Sequence, residues 1–224
     1  MALFERRLGE QPTAWNAAGL SLGQRSLKRA FDLILALLLL VPLLPVILMG
    51  AWVAARDTGT SGFFIQERIG RGGRPFRVVK LRTMHSEGGS TVTTLGDPRI
   101  TPLGRRLRHW KVDELPQLFN VLVGQMSFVG PRPDVPGFAD VLSGEERVIL
   151  SVRPGITGPA TLKYRDEELL LAGEEDPERY NREVIFPDKV RLNCEYVMHW
   201  SFAGDLRYLW RTVFPTGHRR DHGS

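Results

Sequence analysis

The order of apolar and polar positions divides the chain into one long apolar segment and a remainder of short periodic pieces. From Leu33 to Ala55 the run of 23 residues is almost uninterrupted. As straight helix it would be roughly 34 Å long, enough for a hydrocarbon core of about 30 Å, so it predicts a membrane segment. About thirty residues precede it with a long charged head, which is not the form of a cleaved signal. Pro42 and Pro45 sit near its centre and predict a bend. Arg25, Lys28 and Arg29 precede the run and Arg56, Arg68, Arg71, Arg74 and Arg77 follow it, so the positive-inside tendency draws both ends to the cytoplasm. A helix bent at Pro42 that enters one leaflet and returns satisfies both flanks. An ordinary span with a mild kink is the alternative, and the physics of the segment leaves the two level. Asp32 lies one turn past Lys28 and Arg29 and is expected to pair with them.

The remaining pieces are short. Phe63–Arg68 and Phe76–Arg82 read as two strands joined by a glycine-rich turn, with Val78, Lys80 and Arg82 on one side of the second strand. The 85–97 stretch reads as a flexible loop. Thr101-Pro102 opens a helix with Leu103, Leu107 and Trp110 as its apolar stripe and Arg105, Arg106, Arg108 and His109 opposite, suited to an anionic membrane surface. Asp113 is expected to cap a further helix, with Pro116 in its first turn, Leu115, Leu118, Phe119 and Leu122 on one face, and Gly124 as its stop. Residues 177–183, 187–200 and 201–214 read as helices rich in aromatic rings, which also leave a homodimer open. The fold class is therefore α+β and mostly helical: a membrane helix hairpin, a small β-hairpin and amphipathic interfacial helices around one membrane-surface domain. The divisions are an N-terminal arm (1–24), the membrane helix (25–56), the surface domain (57–216) and a disordered tail (217–224).

Charge sharpens this picture. The net charge is +5, but Ile65 to Lys111 holds eleven Lys/Arg against three Asp/Glu, while Tyr164 to Glu195 holds ten acids against five bases. The basic half should attract phosphates. The single cysteine, Cys194, excludes an internal disulfide, and no Cys/His spacing suggests zinc. There is no internal repeat and no dinucleotide or Walker glycine pattern.

Candidate chemistry centres on Asp113-Glu114, directly after Arg105, Arg106, Arg108 and Lys111. A carboxylate at a helix start should stay ionised, which suits a nucleophile or a metal ligand. Taken locally, the pair reads more simply as a capping aspartate with a first-turn glutamate. Its company changes that balance. Lys80 and Arg82 share a strand face and can reach one phosphate together. Arg132 is fixed between two prolines, and Arg153 stands on a second Pro/Gly turn. A membrane-anchored nucleic-acid-binding module would account for the charge asymmetry but not for the carboxylates or the rigid arginine turns, so no nucleic-acid partner is expected.

Six stretches in this order resemble the bacterial monotopic phosphoglycosyl transferases, the polyprenyl-phosphate sugar-phosphate transferases. They are Lys28-Arg29-Ala30-Phe31-Asp32, Gln66-Glu67-Arg68-Ile69-Gly70, Lys80-Leu81-Arg82-Thr83-Met84, Asp113-Glu114-Leu115-Pro116-Gln117-Leu118, Val129-Gly130-Pro131-Arg132-Pro133 and Arg153-Pro154-Gly155-Ile156-Thr157-Gly158. The resemblance implies transfer of a sugar phosphate from a nucleotide diphosphate sugar, usually a UDP-sugar, to polyprenyl phosphate with release of UMP. It also implies Mg2+, a covalent intermediate and a re-entrant helix in the bacterial inner membrane, with the catalytic domain on the cytoplasmic face. On that resemblance Asp113 is the nucleophile, Glu114 and Asp113 hold the metal, and Lys80, Arg82, Arg108, Arg132 and Arg153 bind phosphates. Two departures stand out: Val41 occupies the place before Pro42 where the family commonly has serine, and Pro159–Tyr164 differs from many members. A metal-dependent transferase of the bare sugar is the other enzymatic reading, distinguished by release of UDP.

Overall fold

The computed structural model describes residues 19–85 and 97–214, so the expectations for the N-terminal arm before Gly19, for the loop at 86–96 and for the tail lie outside the described residues. The first helix, α1 (Leu22–Thr58), begins at a capping box in which Ser21 and Gln24 satisfy each other's backbone N–H, and ends at Gly59 in the left-handed region (φ 70°). It remains one helix through Pro42 and Pro45, both on its exposed side. Lys28, Asp32, Ala36, Ile47, Ala51 and Ala54 are buried, and Leu39, Leu40 and Leu43 are partly buried against the core. At spacings of three and four these positions form one stripe along the helix. The opposite face leaves Ile34, Leu38, Val41, Leu48, Met49 and Trp52 exposed, Val41 at 77%.

The rest of the chain packs on the stripe most closely near its two ends, with Leu39, Leu40 and Leu43 between them only partly buried. Near its start Arg29 donates to the carbonyls of Val121 and Leu122 (2.6 and 2.8 Å), and Lys28 pairs with Asp205 at 2.5 Å. Asp32 was expected to pair with Lys28 and Arg29. Instead its Oδ1 accepts from Ser127 Oγ and from the Phe128 N–H, both at 3.0 Å, because Asp205 takes the lysine. Near its end, Gly50 faces Leu81 and Gly62 passes so close to the Ala51 carbonyl that a Cβ would lie 1.7 Å from that oxygen.

Strands β1 (Phe63–Ile69) and β2 (Pro75–Leu81) form the expected antiparallel hairpin, Phe63 opposite Leu81 and Ile69 opposite Pro75. Thr101 caps α2 (Pro102–His109) by accepting from the Gly104 N–H at 2.8 Å. After it come α3 (Gln117–Leu122), β3 (Ser127–Val129), 3-10 turns at Ala139–Val141 and Gly144–Ser151, and β4 (Gly155–Thr157). β3 and β4 pair in parallel, and three-residue strands are too short to show a period in sequence. Short helices α4 (Pro159–Lys163), α5 (Glu167–Ala172) and α6 (Pro177–Tyr180) follow. A π-helical turn at Asn181–Ile185 then carries α6 directly into α7 (Phe186–Met198), so the expected break before Pro187 is absent. Proline at the second position of α7 is accommodated after the wide turn. Ser201 caps α8 (Phe202–Val213). The core joins Ala36 of α1 to Val78, Val121, Met126, Phe128, Val129, Ile149, Val190 and Tyr196.

Candidate active site

The expected cap at Asp113 is not what forms. Helix α2 ends at Trp110, and Lys111 adopts φ 55°, ψ 21°, where it is the one non-glycine residue at positive φ among those described. That reversal opens a 3-10 turn at Val112–Glu114, and α3 starts only after Pro116. Asp113 therefore lies inside the turn, 7% exposed, instead of capping a helix. Gly124 does end the segment, at φ 84°. Asn120 ties α3 to β2: its Oδ1 accepts from the Val79 N–H (3.1 Å), while its Nδ2 donates to the Arg77 carbonyl and to Gln125 Oε1, both at 2.7 Å. This clamp sets Lys80, the next residue on β2, beside the carboxylates.

Glu114 is gripped in a fork by Arg132, with Nη2 to Oε1 at 2.5 Å and Nη1 to Oε2 at 3.2 Å, and Lys80 Nζ stands 3.6 Å from Oε1. Burial alone would raise the Glu114 pKa, but Arg132 and Lys80 overcome it and hold the group well below the ordinary carboxylate range. Glu114 in turn raises the Arg132 pKa. Burial is the largest influence on Lys80 and lowers its pKa to about 8, against the attraction of Glu114. Asp113 moves the other way. Burial and then the charge of Glu114 raise it, with Lys80, Arg108 and Lys111 opposing, and its Oδ1 has no hydrogen-bond partner among the described residues. The expectation of an ordinary, dipole-stabilised carboxylate thus gives way to a buried one whose Oδ1 has no hydrogen-bond partner among the described residues.

Asp113, Glu114, Lys80 and Arg132 are brought together. Arg108 is close enough for its charge to act on Asp113, yet its guanidinium pairs with Glu168 at the start of α5 and touches Met84 Sδ. Arg82 diverges from Lys80: beyond the end of β2 it donates to the carbonyls of Ser61 (2.7 Å) and Phe63 (3.4 Å). Arg153 is also elsewhere. The parallel pairing of β3 and β4 makes the two arginine turns neighbours, with the Gly155 N–H donating to the Pro131 carbonyl at 2.8 Å and the Gly130 N–H to Thr157 at 2.9 Å. A Cβ on Gly155 would lie 2.1 Å from the Gly130 nitrogen, so only glycine permits this approach. The side chains nevertheless part, since Arg153 Nε donates to the Gly124 carbonyl at 2.7 Å.

Arg68 is a site residue that the motif at Gln66–Gly70 carried without marking. Its guanidinium is fixed by Gln66 Oε1 (2.6 Å) and the Pro133 carbonyl (3.2 Å), and burial, with Arg132 nearby, lowers its pKa to about 10. Glu168 had no local signal, being one acid in an acidic stretch. Among the described residues no three His, Cys, Asp or Glu side chains gather as a metal site. Magnesium needs less, because it commonly takes one or two carboxylates and completes its shell with water and substrate phosphate. The free Asp113 oxygen fits that requirement, and Glu114 fits once Arg132 turns to a phosphate. The assembled site sets a buried carboxylate beside cations whose forks and ammonium suit phosphate oxygens.

The chain is 38% identical over 192 residues to the UDP-glucose:undecaprenyl-phosphate glucose-1-phosphate transferase of Caulobacter vibrioides, covering 83% of this chain and 68% of that protein. It is 37% identical over 188 residues to the uncharacterized sugar transferase EpsL of Bacillus subtilis (84% and 85% covered). It is 31% identical over 204 residues to the exopolysaccharide production protein ExoY of Sinorhizobium fredii (83% of each). Residues 23–218 match the model of the bacterial sugar transferases, and the chain belongs to that family.

Proposed function

We propose that the protein is a phosphoglycosyl transferase that moves a sugar phosphate from a UDP-sugar to a polyprenyl phosphate. The observation that carries this reading is the Asp113-Glu114 pair: one buried carboxylate with an unpartnered oxygen, beside another neutralised by Arg132 and Lys80. The donor pyrophosphate draws Arg132, Lys80 and Arg108 to itself and excludes water from the pocket. An Asp113 oxygen attacks the sugar-bearing phosphorus, the bond to the bridging oxygen breaks, and UMP departs. An oxygen of polyprenyl phosphate then attacks the same phosphorus, giving the polyprenyl diphosphosugar and restoring the carboxylate. Asp113 and Glu114 would hold Mg2+, which when bound offsets pyrophosphate charge. The related Caulobacter protein carries a UDP-sugar donor and an undecaprenyl-phosphate acceptor in its name, and this supports the same substrate classes here.

The reading places α1 as a re-entrant helix on the cytoplasmic side of the inner membrane. Support comes from the buried stripe, since both ends of the helix rest on one domain while its other face is apolar and exposed. The test is nucleotide release by purified protein with magnesium, polyprenyl phosphate and a panel of UDP-sugars. UMP is expected with one of them, and Asp113→Asn should lower turnover on the order of 10⁴-fold or more while membrane association persists. Release of UDP, or near wild-type turnover by that variant, would refute the proposal.

A further inference from the structure

Arg153 shares a cleft at the start of α1 with Arg25, Lys28, Asp32, Arg71 and Ser151. The cleft is separate from the carboxylate pair, and Arg71 reaches it from the turn of the β-hairpin at Gly70–Arg74. Three guanidiniums line it, and a fourth, that of Arg29, lies near the Gly124 backbone to which Arg153 is bonded. Such crowding of like charge is unfavourable unless something negative lies between the groups. Asp32 is the one carboxylate in the lining, against three guanidiniums and Lys28, whose charge Asp205 already pairs. Burial lowers the Arg153 pKa, and the charges of Arg29 and Arg71 add to it against the attraction of Asp32.

Three buried atoms facing this region have no hydrogen-bond partner among the described residues: Arg25 Nε and Ser151 Oγ, which can donate, and Asp32 Oδ2, which can only accept when ionised. Buried polar atoms without partners are costly, so three in one cleft point to a polar ligand there. The set defines that partner's chemistry. Arginine forks and a hydroxyl match phosphate oxygens, while the lone carboxylate oxygen asks for a donor on the same ligand.

We infer that the cleft formed by Arg25, Arg71, Arg153, Ser151 and Asp32 is a second anion site, which binds a phosphate group carrying its own hydrogen-bond donor. Two sources have this chemistry. One is inorganic hydrogen phosphate, whose P–OH reaches Asp32. The other is an anionic phospholipid whose headgroup hydroxyl does so, and the place of Arg25, roughly two helical turns before the apolar run, suits a headgroup at the membrane surface.

The experiment measures thermal stability of the full chain against two probes: inorganic phosphate added to detergent-solubilised protein at fixed ionic strength, and lipid nanodiscs of pure phosphatidylcholine or with phosphatidylglycerol added. Wild type, Arg25→Gln, Arg71→Gln and Arg132→Gln are compared, each first checked for its melting temperature without ligand. Stabilisation of the wild type by phosphate, about tenfold weaker in apparent affinity in Arg25→Gln and Arg71→Gln and kept in Arg132→Gln, supports the site with free phosphate as its source. Stabilisation by phosphatidylglycerol alone, lost in the same two variants, supports it with a lipid headgroup. No stabilisation by either probe overturns it, as does a response lost in Arg132→Gln but kept in Arg71→Gln, which would assign the anion to the carboxylate pair. Arg71 is exposed on a turn, so its variant remains informative if Arg25→Gln does not fold.

Discussion

Single residues carry the pH dependence of this site. In the proposed mechanism Asp113 must be ionised to attack, and burial followed by the charge of Glu114 raises its pKa, so kcat/KM should fall on the acid side at a pH above the ordinary aspartate value of 3.8. On the alkaline side Lys80, lowered to about 8 by burial, loses the charge that would meet the donor phosphates, and a second limb is expected near pH 8. Lys80→Arg should move that limb upward; a limb unchanged in this variant would show that another group sets it. Stability runs in the opposite sense. The folded chain releases the Lys80 proton at about 8 and the unfolded chain near 10.5, so between these values the unfolded state holds more protons and folding is favoured as pH rises. Denaturant unfolding at pH 8 and pH 10 checks this, with Lys80→Met lacking the contribution. Residue types and motif order made Asp113, Glu114, Lys80 and Arg132 legible from sequence. The protonation behaviour of Asp113 was not, because desolvation depends on what folds over the carboxylate.

At the scale of elements, Gly62 and Thr101 are informative. The strand-entry turn at Gly62 rests on the Ala51 carbonyl with no room for a Cβ, so Gly62→Ala must push the end of α1 away from the hairpin. A loss of about 1–3 kcal/mol is expected, read by denaturant unfolding, and a neutral variant would mean this contact is not held. Thr101→Ala removes the hydrogen bond to the Gly104 N–H and should destabilise by about 1 kcal/mol. Helix α2, the β-hairpin and the apolar extent of α1 were all visible as local patterns with known caps and turns. The 3-10 turn that presents Asp113 was not. It depends on Lys111 entering the left-handed region, a conformation that local preference opposes. The β3–β4 pair was likewise hidden, since two tripeptides become strands only by meeting.

Over the whole molecule, one buried carboxylate fastens α1 to the C-terminal helices. Asp205 accepts from Lys28 Nζ (2.5 Å), Tyr196 OH (2.7 Å) and Trp200 Nε1 (3.0 Å). Asp205→Ala leaves the lysine buried without its partner and should cost roughly 3–5 kcal/mol, measurable as a large drop in melting temperature. Membrane topology is tested by placing cysteines at Leu27 and Thr60 in a Cys194→Ser background. Neither should react with an impermeant thiol reagent in intact cells and both should react after lysis; labelling of either from outside would exclude the re-entrant arrangement. The sequence by itself determined a membrane-seeking helix, its capped neighbours, a basic half and an acid pair, because each is written in local periodicity, composition or motif. Only the tertiary structure decided which cations meet that pair. Arg132 and Lys80 arrive there, whereas Arg82 and Arg153 go elsewhere, because strand pairing and the Asn120 clamp fix side-chain directions over separations in sequence that no local pattern records.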